Sequence, residues 1–281
     1  QFLSFHLRLL VMQLGFQYYQ DSSNLLVLML FANQLEPTYL FLVGLDAGVY
    51  TVLVIPPFYY KPQSDASVLR YFAELISSVD DPRLRIVFYN FPKLSGYNFS
   101  LEILQELKQS FGDIAAGIKD SSGNWENMLS ITKNVPDFMV YSGTETLLLD
   151  ILREGGAGCI TASANLLAPE CHQVFQAWNN NQQDAADQAQ KKLSVLRKAL
   201  ESYPFVSELK GLMAKYSGTS EDWQQMLPPF TPLLESEIRE LSGEIKNNGA
   251  NNITSLDVTW TDGSGLNVDN LTGLNIAPGG T

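Results

Sequence analysis

Five short apolar segments alternate with helical patterns, and this alternation constrains the fold more than any other feature of the chain. The segments are TVLVI at 51–55, LRIVFYN at 84–90, IAAGIKD at 114–120, FMVYSG at 138–143 and AGCITAS at 157–163. Apolar residues at helical spacing separate them, at 64–79, 100–111, 124–134 and 144–153. Strands that are apolar nearly throughout are typical of sheets covered on both faces. The pattern predicts a parallel α/β fold.

The rest of the chain divides by composition and period. After residue 165 only helical patterns follow, at about 168–179, 182–202, 205–216 and 233–246. Residues 248–281 are rich in Asn, Gly, Thr and Asp, which predicts a tail that is flexible or loosely β. We therefore expect four parts: an atypical N-terminal part (1–46), parallel βα barrel units (47–165), C-terminal helices (166–247) and a polar tail (248–281).

The charge balance argues against several classes of partner. The net charge is -12 and the sequence pI is near 4.6, so neither nucleic acid nor an anionic membrane is expected to bind. The longest apolar run near the N-terminus, 25–31, is too short to span a bilayer. Residues 1–20 lack the basic start of a signal peptide, so we expect a cytoplasmic location.

Potential metal ligands are scarce. The chain has two histidines, His6 and His172, and two cysteines, Cys159 and Cys171, with no Cys-x-x-Cys motif. Because so few histidines and cysteines are present, we do not predict a zinc site. We interpret the cysteines as two buried thiols of a protein in a reducing compartment, since two thiols make no disulfide framework.

A lysine and a tyrosine end neighbouring strands of the predicted sheet. In a parallel barrel the active site lies at the carboxyl ends of the strands, where Lys119 and Tyr89 are expected. A lysine in a low-dielectric pocket loses proton affinity, and its free amine can form a Schiff base with a ketone. Tyr89 could then carry protons to and from the substrate. The alternative is a lysine that reaches solvent or pairs with Asp120, beside a tyrosine that only packs.

Six segments occur in an order that resembles a known family: VLVIPPFYYKP (52–62), YNFPKLSG (89–96), GIKDSSGN (117–124), YSGTE (141–145), GCITASAN (158–165) and LPPFTPL (227–233). Together they are similar to the pyruvate-dependent class I aldolases, which include dihydrodipicolinate synthase, N-acetylneuraminate lyase and the 2-keto-3-deoxy sugar acid aldolases. The resemblance covers about residues 45–246. It implies a TIM (β/α)8-type barrel followed by helices, a homo-oligomer (dimer or tetramer), and no metal or organic cofactor.

The resemblance also implies roles for individual residues. Lys119 matches the Schiff-base lysine and Tyr89 the proton-shuttling tyrosine. Tyr59 matches a tyrosine that the family lends across a subunit interface to the proton relay. The backbone carbonyl of Ile160 is expected to face the pyruvate end of the substrate.

Four further positions match residues that contact the hydroxylated part of the substrate in the lyase branch: Ser121, Gly143, Thr144 and Glu145. Two of them have an alternative interpretation. Thr144 would cap the next helix, and Glu145 would stabilise the N-terminus of that helix.

Leu94 bears on the substrate class. In dihydrodipicolinate synthase an arginine at this position holds a substrate carboxylate, and a leucine cannot make that bidentate contact. We therefore favour reversible cleavage of a 2-keto-3-deoxy sugar acid, or a related 4-hydroxy-2-oxo acid, to pyruvate and an aldehyde. Dihydrodipicolinate synthase and N-acetylneuraminate lyase activities are the alternatives.

The N-terminal part departs from the family pattern. Three strand–helix units should precede residue 51 and would need about 90 residues, but only about 50 are present. The expected loop that binds the pyruvate carboxylate, similar to Gly-Thr-Thr-Gly-Glu, is not found in 1–50. We expect one or two improvised strands in 1–35, a helix at about 36–48 and an incomplete barrel. A second hypothesis follows: a catalytically inactive family member, unless Ser163 and Asn165 supply donors near Lys119.

Overall fold

Seven strands form one sheet in the structure, a computed structural model that describes residues 37–46, 48–216 and 228–247, positions 223 and 226, and the short segments 17–18, 28–30, 259–261 and 267–270. The strands are β1 (Gln17–Tyr18), β2 (Leu28–Leu30), β3 (Thr51–Val54), β4 (Arg85–Asn90), β5 (Ala115–Asp120), β6 (Met139–Ser142) and β7 (Gly158–Thr161). Their order in the sheet is β1-β7-β6-β5-β4-β3-β2. All neighbours from β2 to β7 are parallel, and β1 runs antiparallel to β7.

Helices follow the strands along the chain: α1 (Pro37–Asp46), α2 (Asp65–Val79), α3 (Pro92–Ser95), α4 (Leu101–Phe111), α5 (Trp125–Asn134), α6 (Leu148–Arg153), α7 (Ala164–Asn179), α8 (Gln183–Ala199), α9 (Phe205–Tyr216) and α10 (Glu235–Asn247). Two 3-10 turns lie at Gly112–Ile114 and Glu145–Leu147. In the described parts of the chain, every helix falls short of the length and apolarity that a bilayer crossing requires.

Cap residues explain where three of the helices begin. Ser64 Oγ accepts a hydrogen bond from the Ser67 amide at 3.3 Å, and Ser67 Oγ accepts one from the Ser64 amide at 3.1 Å. Ser100 and Asn124 cap α4 and α5 in the same way, through the amides three residues on. These bonds satisfy amides that have no partner within the helix. The starts predicted at 64, 100 and 124 are therefore cap positions.

α7 begins four residues earlier than the helix predicted at 168. The extra turn starts at Ala164 and is interrupted at Leu167, whose backbone is not helical (φ -110°, ψ 19°). Pro169 follows two residues later. A proline donates no backbone hydrogen bond and crowds the preceding turn, so it breaks the helix near this point.

Side chains alternate between two apolar layers along each strand. One layer packs against the helices and includes Val54, Phe88 and Ile118 with Phe72 and Leu104. The other lies on the inner face of the sheet and consists of Leu53, Ile55, Val87, Tyr89, Tyr141 and Ile160. Because successive strand residues point to opposite faces, the alternation decides which polar side chains share the inner face.

These elements establish an α/β fold with a parallel half-barrel. The helix predicted at 36–48 is α1, and the two edges of the sheet are β1 and β2, within the segment where one or two strands were expected. Most of 1–36, including the region predicted to lack the carboxylate-binding loop, lies outside the described residues. In the polar tail only β8 (Thr259–Thr261) and β9 (Asn267–Asn270) are described, and they pair antiparallel. The eight-unit barrel and the four-part division stay predictions.

Candidate active site

The carboxyl ends of β4, β5 and β6 bring three side chains into one row on the inner face of the sheet. In the register of these strands, Lys119 is paired with Tyr89 on one side and with Tyr141 on the other. All three side chains are buried. Barrel enzymes form their active sites at this end of the strands, so the row is the centre of the candidate site.

Lys119 is almost fully removed from solvent. Its exposed fraction is 1%, and its Nζ lies 4.2 Å from the centroid of the Tyr89 ring. Burial disfavours the ammonium form and lowers the pKa of Lys119 to about 7, against an opposing effect of Cys159. An amine with this pKa is partly unprotonated at neutral pH and can act as a nucleophile. The alternative prediction, a side chain that reaches solvent, is wrong.

The ring of Tyr89 lies beside this amine. Burial raises the pKa of Tyr89, and a hydrogen bond with the Ser121 side chain opposes that rise. The ring also stacks on Phe91, with centroids 5.7 Å apart. Tyr89 therefore presents a protonated phenol beside the buried lysine.

Asp120 follows Lys119 in the chain but lies on the opposite face of the sheet, as successive strand residues do. Its Oδ1 accepts a hydrogen bond from the Ser122 amide at 2.7 Å. Its Oδ2 accepts one from Asn90 Nδ2 at 3.2 Å and one from Asn127 Nδ2 at 3.0 Å. The carboxylate is thus used on the outer face, where it joins β4 to the loop after β5 and to α5.

Ser121 and Gly143 approach each other closely where β5 and β6 end. A Cβ atom at Gly143 would lie 2.0 Å from Ser121 Oγ and 2.8 Å from the Asp120 carbonyl oxygen. The Gly143 amide donates a hydrogen bond to that carbonyl at 2.7 Å. Glycine is required here because any side chain would separate the two strand ends. Ser121 and Gly143 thus lie together at the predicted site.

Thr144 occupies the cap position of the 3-10 turn that follows β6. Its Oγ1 accepts a hydrogen bond from the Thr146 amide at 3.4 Å, and its own amide donates to Ser142 Oγ at 3.2 Å. These contacts are the ones expected from the capping interpretation. The contact of Thr144 with a substrate stays a prediction.

Glu145 is fully buried, and both of its carboxylate oxygens are bonded within the protein. Oε2 accepts a hydrogen bond from Thr161 Oγ1 at 2.7 Å, and Oε1 accepts a short one from Ser163 Oγ. Arg197 Nε lies 3.6 Å from Oε1. The carboxylate therefore connects the end of β6 to the end of β7 and to α8. Its predicted contact with a substrate stays a prediction as well.

The remaining predicted residues lie at different depths. Ile160 is fully buried in the inner layer of β7, beside the row of Lys119 and the two tyrosines. Leu94 lies on α3, directly after β4, and is 39% exposed. Tyr59 follows β3 and is 75% exposed, and its ring contacts Tyr60 edge-on at 5.0 Å. The chain itself thus leaves Tyr59 outside the buried row.

Ser163 and Asn165 were the predicted substitutes for the carboxylate-binding loop. The Ser163 hydroxyl is bonded to Glu145 and lies 2.9 Å from Thr161 Oγ1. Asn165 Nδ2 donates to the Ala162 carbonyl at 2.7 Å. Because the Ser163 hydroxyl is already hydrogen-bonded to buried residues, its contacts do not support a role as a hydrogen-bond donor to the substrate.

Two further residues of the candidate site were not predicted from the sequence. Tyr141 is fully buried in register with Lys119, and its hydroxyl lies 3.1 Å from the Met139 sulfur. The alternation of side chains along β6 could have indicated Tyr141, because residues two apart in a strand, such as Met139 and Tyr141, lie on the same face of the sheet. Asn90, also fully buried, was missed because its contacts are with chain segments distant in sequence.

Among the described residues, no group of three or more His, Cys, Asp or Glu side chains is placed to hold a metal ion. Cys159 and Cys171 are both buried free thiols, as the sequence predicted.

Comparisons with known proteins agree on one family. A family model described as the dihydrodipicolinate synthetase family matches residues 43–248. An uncharacterized DapA-like lyase of Chloroflexus aurantiacus is 30% identical over 198 residues, which are 70% of this chain and 64% of the relative. A 4-hydroxy-tetrahydrodipicolinate synthase of Methanosarcina barkeri is 32% identical over 212 residues, 73% of this chain and 68% of the relative. The chain thus spans about two thirds of the length of these relatives.

Solved structures show the same likeness. YagE, a prophage protein of the dihydrodipicolinic acid synthase family from E. coli K12, was solved in complex with pyruvate and is 27% identical, with a TM-score of 0.67 over 75% of this chain and 70% of that one. Dihydrodipicolinate synthase from Agrobacterium tumefaciens is 26% identical, with a TM-score of 0.67 over 80% and 75%. A variant of the Sulfolobus solfataricus 2-keto-3-deoxygluconate aldolase, 22% identical, shares the fold with a TM-score of 0.65 over 75% and 68%.

Proposed function

Because this chain belongs to the dihydrodipicolinate synthetase family, whose relatives are lyases and aldolases, we propose that it is a class I aldolase that forms a Schiff base with pyruvate or another 2-oxo acid. The observation that carries the proposal is the position of Lys119. Its amine is buried beside Tyr89 at the carboxyl edge of the sheet, and burial lowers its pKa to about 7.

The proposed reaction starts from the neutral amine of Lys119. Nζ attacks C2 of the 2-oxo acid, and the resulting carbinolamine loses water to give an iminium ion. The bond between C3 and C4 of the substrate then breaks, and its electron pair becomes the double bond of an enamine. The C4 hydroxyl loses its proton and its oxygen becomes a carbonyl oxygen, so the fragment that begins at C4 leaves as an aldehyde. Protonation of C3 and addition of water release pyruvate and restore the amine.

Tyr89 is proposed to move the protons of these steps. Its phenol is held protonated by burial, so it can donate a proton when the carbinolamine loses water. It can then accept the proton of the C4 hydroxyl as the carbon–carbon bond breaks. Tyr59, 75% exposed within one chain, is proposed to reach the relay of a partner in a homo-oligomer, a dimer or a tetramer.

The proposed substrate is a 2-keto-3-deoxy sugar acid or a 4-hydroxy-2-oxo acid. Leu94, on α3 after the end of β4, is an apolar side chain and cannot bind a second carboxylate. Ser121, Gly143, Thr144 and Glu145 are proposed to lie on the side of the hydroxylated carbons, with Ile160 at the pyruvate end. The structure of YagE with pyruvate supports a three-carbon 2-oxo acid as one product.

A second candidate is the condensation performed by 4-hydroxy-tetrahydrodipicolinate synthase. Relatives with this name are 31% and 32% identical over about 210 residues of the chain. A third is N-acetylneuraminate lyase activity. The hypothesis from another class, an inactive family member, depends on the carboxylate-binding loop that was predicted to be missing.

The test is reduction with borohydride in the presence of pyruvate, followed by peptide mass spectrometry. We expect a pyruvyl adduct on Lys119 in the wild-type chain and in Lys93→Met, which removes an exposed lysine on α3. The Lys119→Met variant should give none. Absence of the adduct on folded wild-type protein would reject the aldolase proposal and favour the inactive member. If the adduct forms, assays with sugar-acid substrates, N-acetylneuraminate and aspartate semialdehyde distinguish the three activities.

A further inference from the structure

Each catalytic side chain of the row is followed by a buried polar residue on the other face of the sheet. Asn90 follows Tyr89 on β4, and Asp120 follows Lys119 on β5. The two polar residues are themselves register partners, one position beyond the pair of Lys119 and Tyr89. Asn90 is 0% exposed and Asp120 is 1% exposed.

Asn90 uses its whole amide group at this edge. Its Nδ2 donates to Asp120 Oδ2 at 3.2 Å and to Asn98 Oδ1 at 3.0 Å. Its Oδ1 accepts from the Phe99 amide at 3.2 Å. These bonds fix the end of β4 against the chain that leads into α4.

Asp120 anchors the next strand in the same way. Its carboxylate accepts from Asn90, from the Ser122 amide and from Asn127 on α5. The backbone continues the connection, because the Ser121 amide donates to the Asn90 carbonyl at 2.8 Å. Asn90 and Asp120 are therefore each fixed by further hydrogen bonds besides the one between them.

We infer that Asp120, through its bond with Asn90, is a positioning residue that fixes Lys119 against Tyr89; the inference rests on the proposed Schiff-base function. Neither polar side chain shares the inner face with the amine, so neither contacts a substrate bound there. Their effect reaches the reaction through the strands. A catalytic pair must be held to within about 0.5 Å, and a misplacement of about 1 Å can slow a reaction about 100-fold.

The deciding variant is Asp120→Asn, which keeps the size of the side chain and replaces one acceptor oxygen by a donor. Asn90, Asn127 and the Ser122 amide all donate hydrogen bonds to the Asp120 carboxylate. In Asp120→Asn the new NH2 group therefore faces at least one of these donors and cannot accept its hydrogen bond. The exchange variant Asn90→Asp/Asp120→Asn restores one donor and one acceptor across the two strands. Asp187→Asn is the matched control, because Asp187 pairs with Arg153 on the protein surface.

The first measurement is the initial rate at which borohydride traps pyruvate on Lys119. We expect Asp120→Asn to lower the rate at saturating pyruvate by about 10- to 100-fold, with less than about a threefold change in the half-saturating pyruvate concentration. The exchange variant should recover at least about a third of the wild-type rate, and Asp187→Asn should equal wild type. A folded Asp120→Asn protein with the wild-type rate overturns the inference and leaves the aldolase proposal intact.

A second measurement does not depend on pyruvate. Acetic anhydride labels Lys119 and the exposed Lys191 of the same molecule, and mass spectrometry gives the ratio of the two rates. In wild type Lys119 should label slowly, and in Asp120→Asn the ratio should rise at least about tenfold, returning in the exchange variant. An unchanged ratio overturns the inference. If wild type forms no pyruvyl adduct, the proposed function fails, and the labelling ratio alone decides whether Asp120 positions Lys119.

Discussion

Lys119 and Tyr89 are register partners on neighbouring parallel strands, and the lysine Nζ lies 4.2 Å from the centroid of the tyrosine ring. The ring face attracts the ammonium form, whereas burial at 1% exposure disfavours it. Burial lowers the pKa of Lys119 to about 7, against an opposing effect of Cys159.

The rate of adduct formation should follow the titration of Lys119. Below its pKa of about 7 the amine is protonated and unreactive, so the rate of trapping pyruvate should rise with pH and level off above about pH 7 to 8. Trapping with cyanoborohydride at a series of pH values measures this. A rate that keeps rising tenfold per pH unit toward pH 10 would show an ordinary lysine pKa and contradict the expectation.

Replacing Lys119 by methionine should stabilise the protein at neutral and acidic pH. The unfolded chain binds the lysine proton with a pKa near 10.5 and the folded protein with a pKa of about 7, so burial of Lys119 destabilises the folded state fully below pH 7. The penalty shrinks as the pH rises from about 7 to about 10.5, and its full value is on the order of 5 kcal/mol. Urea unfolding of wild type and Lys119→Met at several pH values measures the difference, which should narrow in this window.

The Tyr89→Phe variant should separate Schiff-base formation from turnover. The phenyl ring keeps the packing against Lys119 and Phe91, but it cannot donate or accept a proton. We expect the pyruvyl adduct still to form, but more slowly because the carbinolamine loses its proton donor, while aldol cleavage, which uses the phenol in further steps, slows by about 100- to 10,000-fold. Single-turnover cleavage assays beside the trapping assay provide the comparison. Equal loss in both assays would contradict a role of Tyr89 in carbon–carbon cleavage and confine its effect to formation of the Schiff base.

Gly143→Ala should destabilise the site by forcing β5 and β6 apart. The added Cβ would lie 2.0 Å from Ser121 Oγ and 2.8 Å from a backbone oxygen, and the backbone atom cannot move without shifting the strand end. We expect a loss of about 1–3 kcal/mol in the free energy of unfolding. Gly243→Ala on α10 is the control, since nothing lies within 4 Å of the position that its methyl group would take, and alanine favours helices. Thermal unfolding of both variants should show shifts of opposite sign.

Glu145→Gln should reveal whether this carboxylate serves the fold or the substrate. Its contacts with Thr161, Ser163 and Arg197 are buried, and loss of the charge leaves Arg197 beside a neutral group. We expect a loss of about 3 kcal/mol in stability. Glu154→Gln, which breaks an exposed ion pair with Lys133, should cost less than about 1 kcal/mol. A weaker affinity for the substrate at unchanged stability would instead support the predicted substrate contact of Glu145.

The sequence was sufficient for the features that depend on local period. Strand β5 could be predicted from its apolar run, and three helices from apolar residues at helical spacing. The starts predicted for these helices are the cap residues Ser64, Ser100 and Asn124. The partnership of Lys119 with Tyr89 followed from the parallel arrangement, which aligns the strand ends.

Features that depend on distant segments could not be predicted from the sequence. The carboxylate of Glu145 meets Thr161 and Arg197 only after β7 and α8 have packed beside it. Asp120 was considered as a partner of Lys119 because they are adjacent in the chain, but adjacency in a strand sends the two side chains to opposite faces. The start of α7 was misplaced because Pro169 marks an interruption inside the helix and not its beginning.

The alternation along β5 also limits how the length of this segment can vary. Gly117 and Lys119 share the inner face, while Ile118 and Asp120 point the other way. Deleting or inserting one residue before Lys119, with the strand ends kept in place, would exchange the two faces. An anion would then occupy the interior in place of the cation, and the lysine would enter the layer under the helices. Length changes among homologous chains should therefore occur in the loops on either side of β5. An engineered insertion within the strand should be tolerated only when it adds an even number of residues, because only then does each side chain keep its own face.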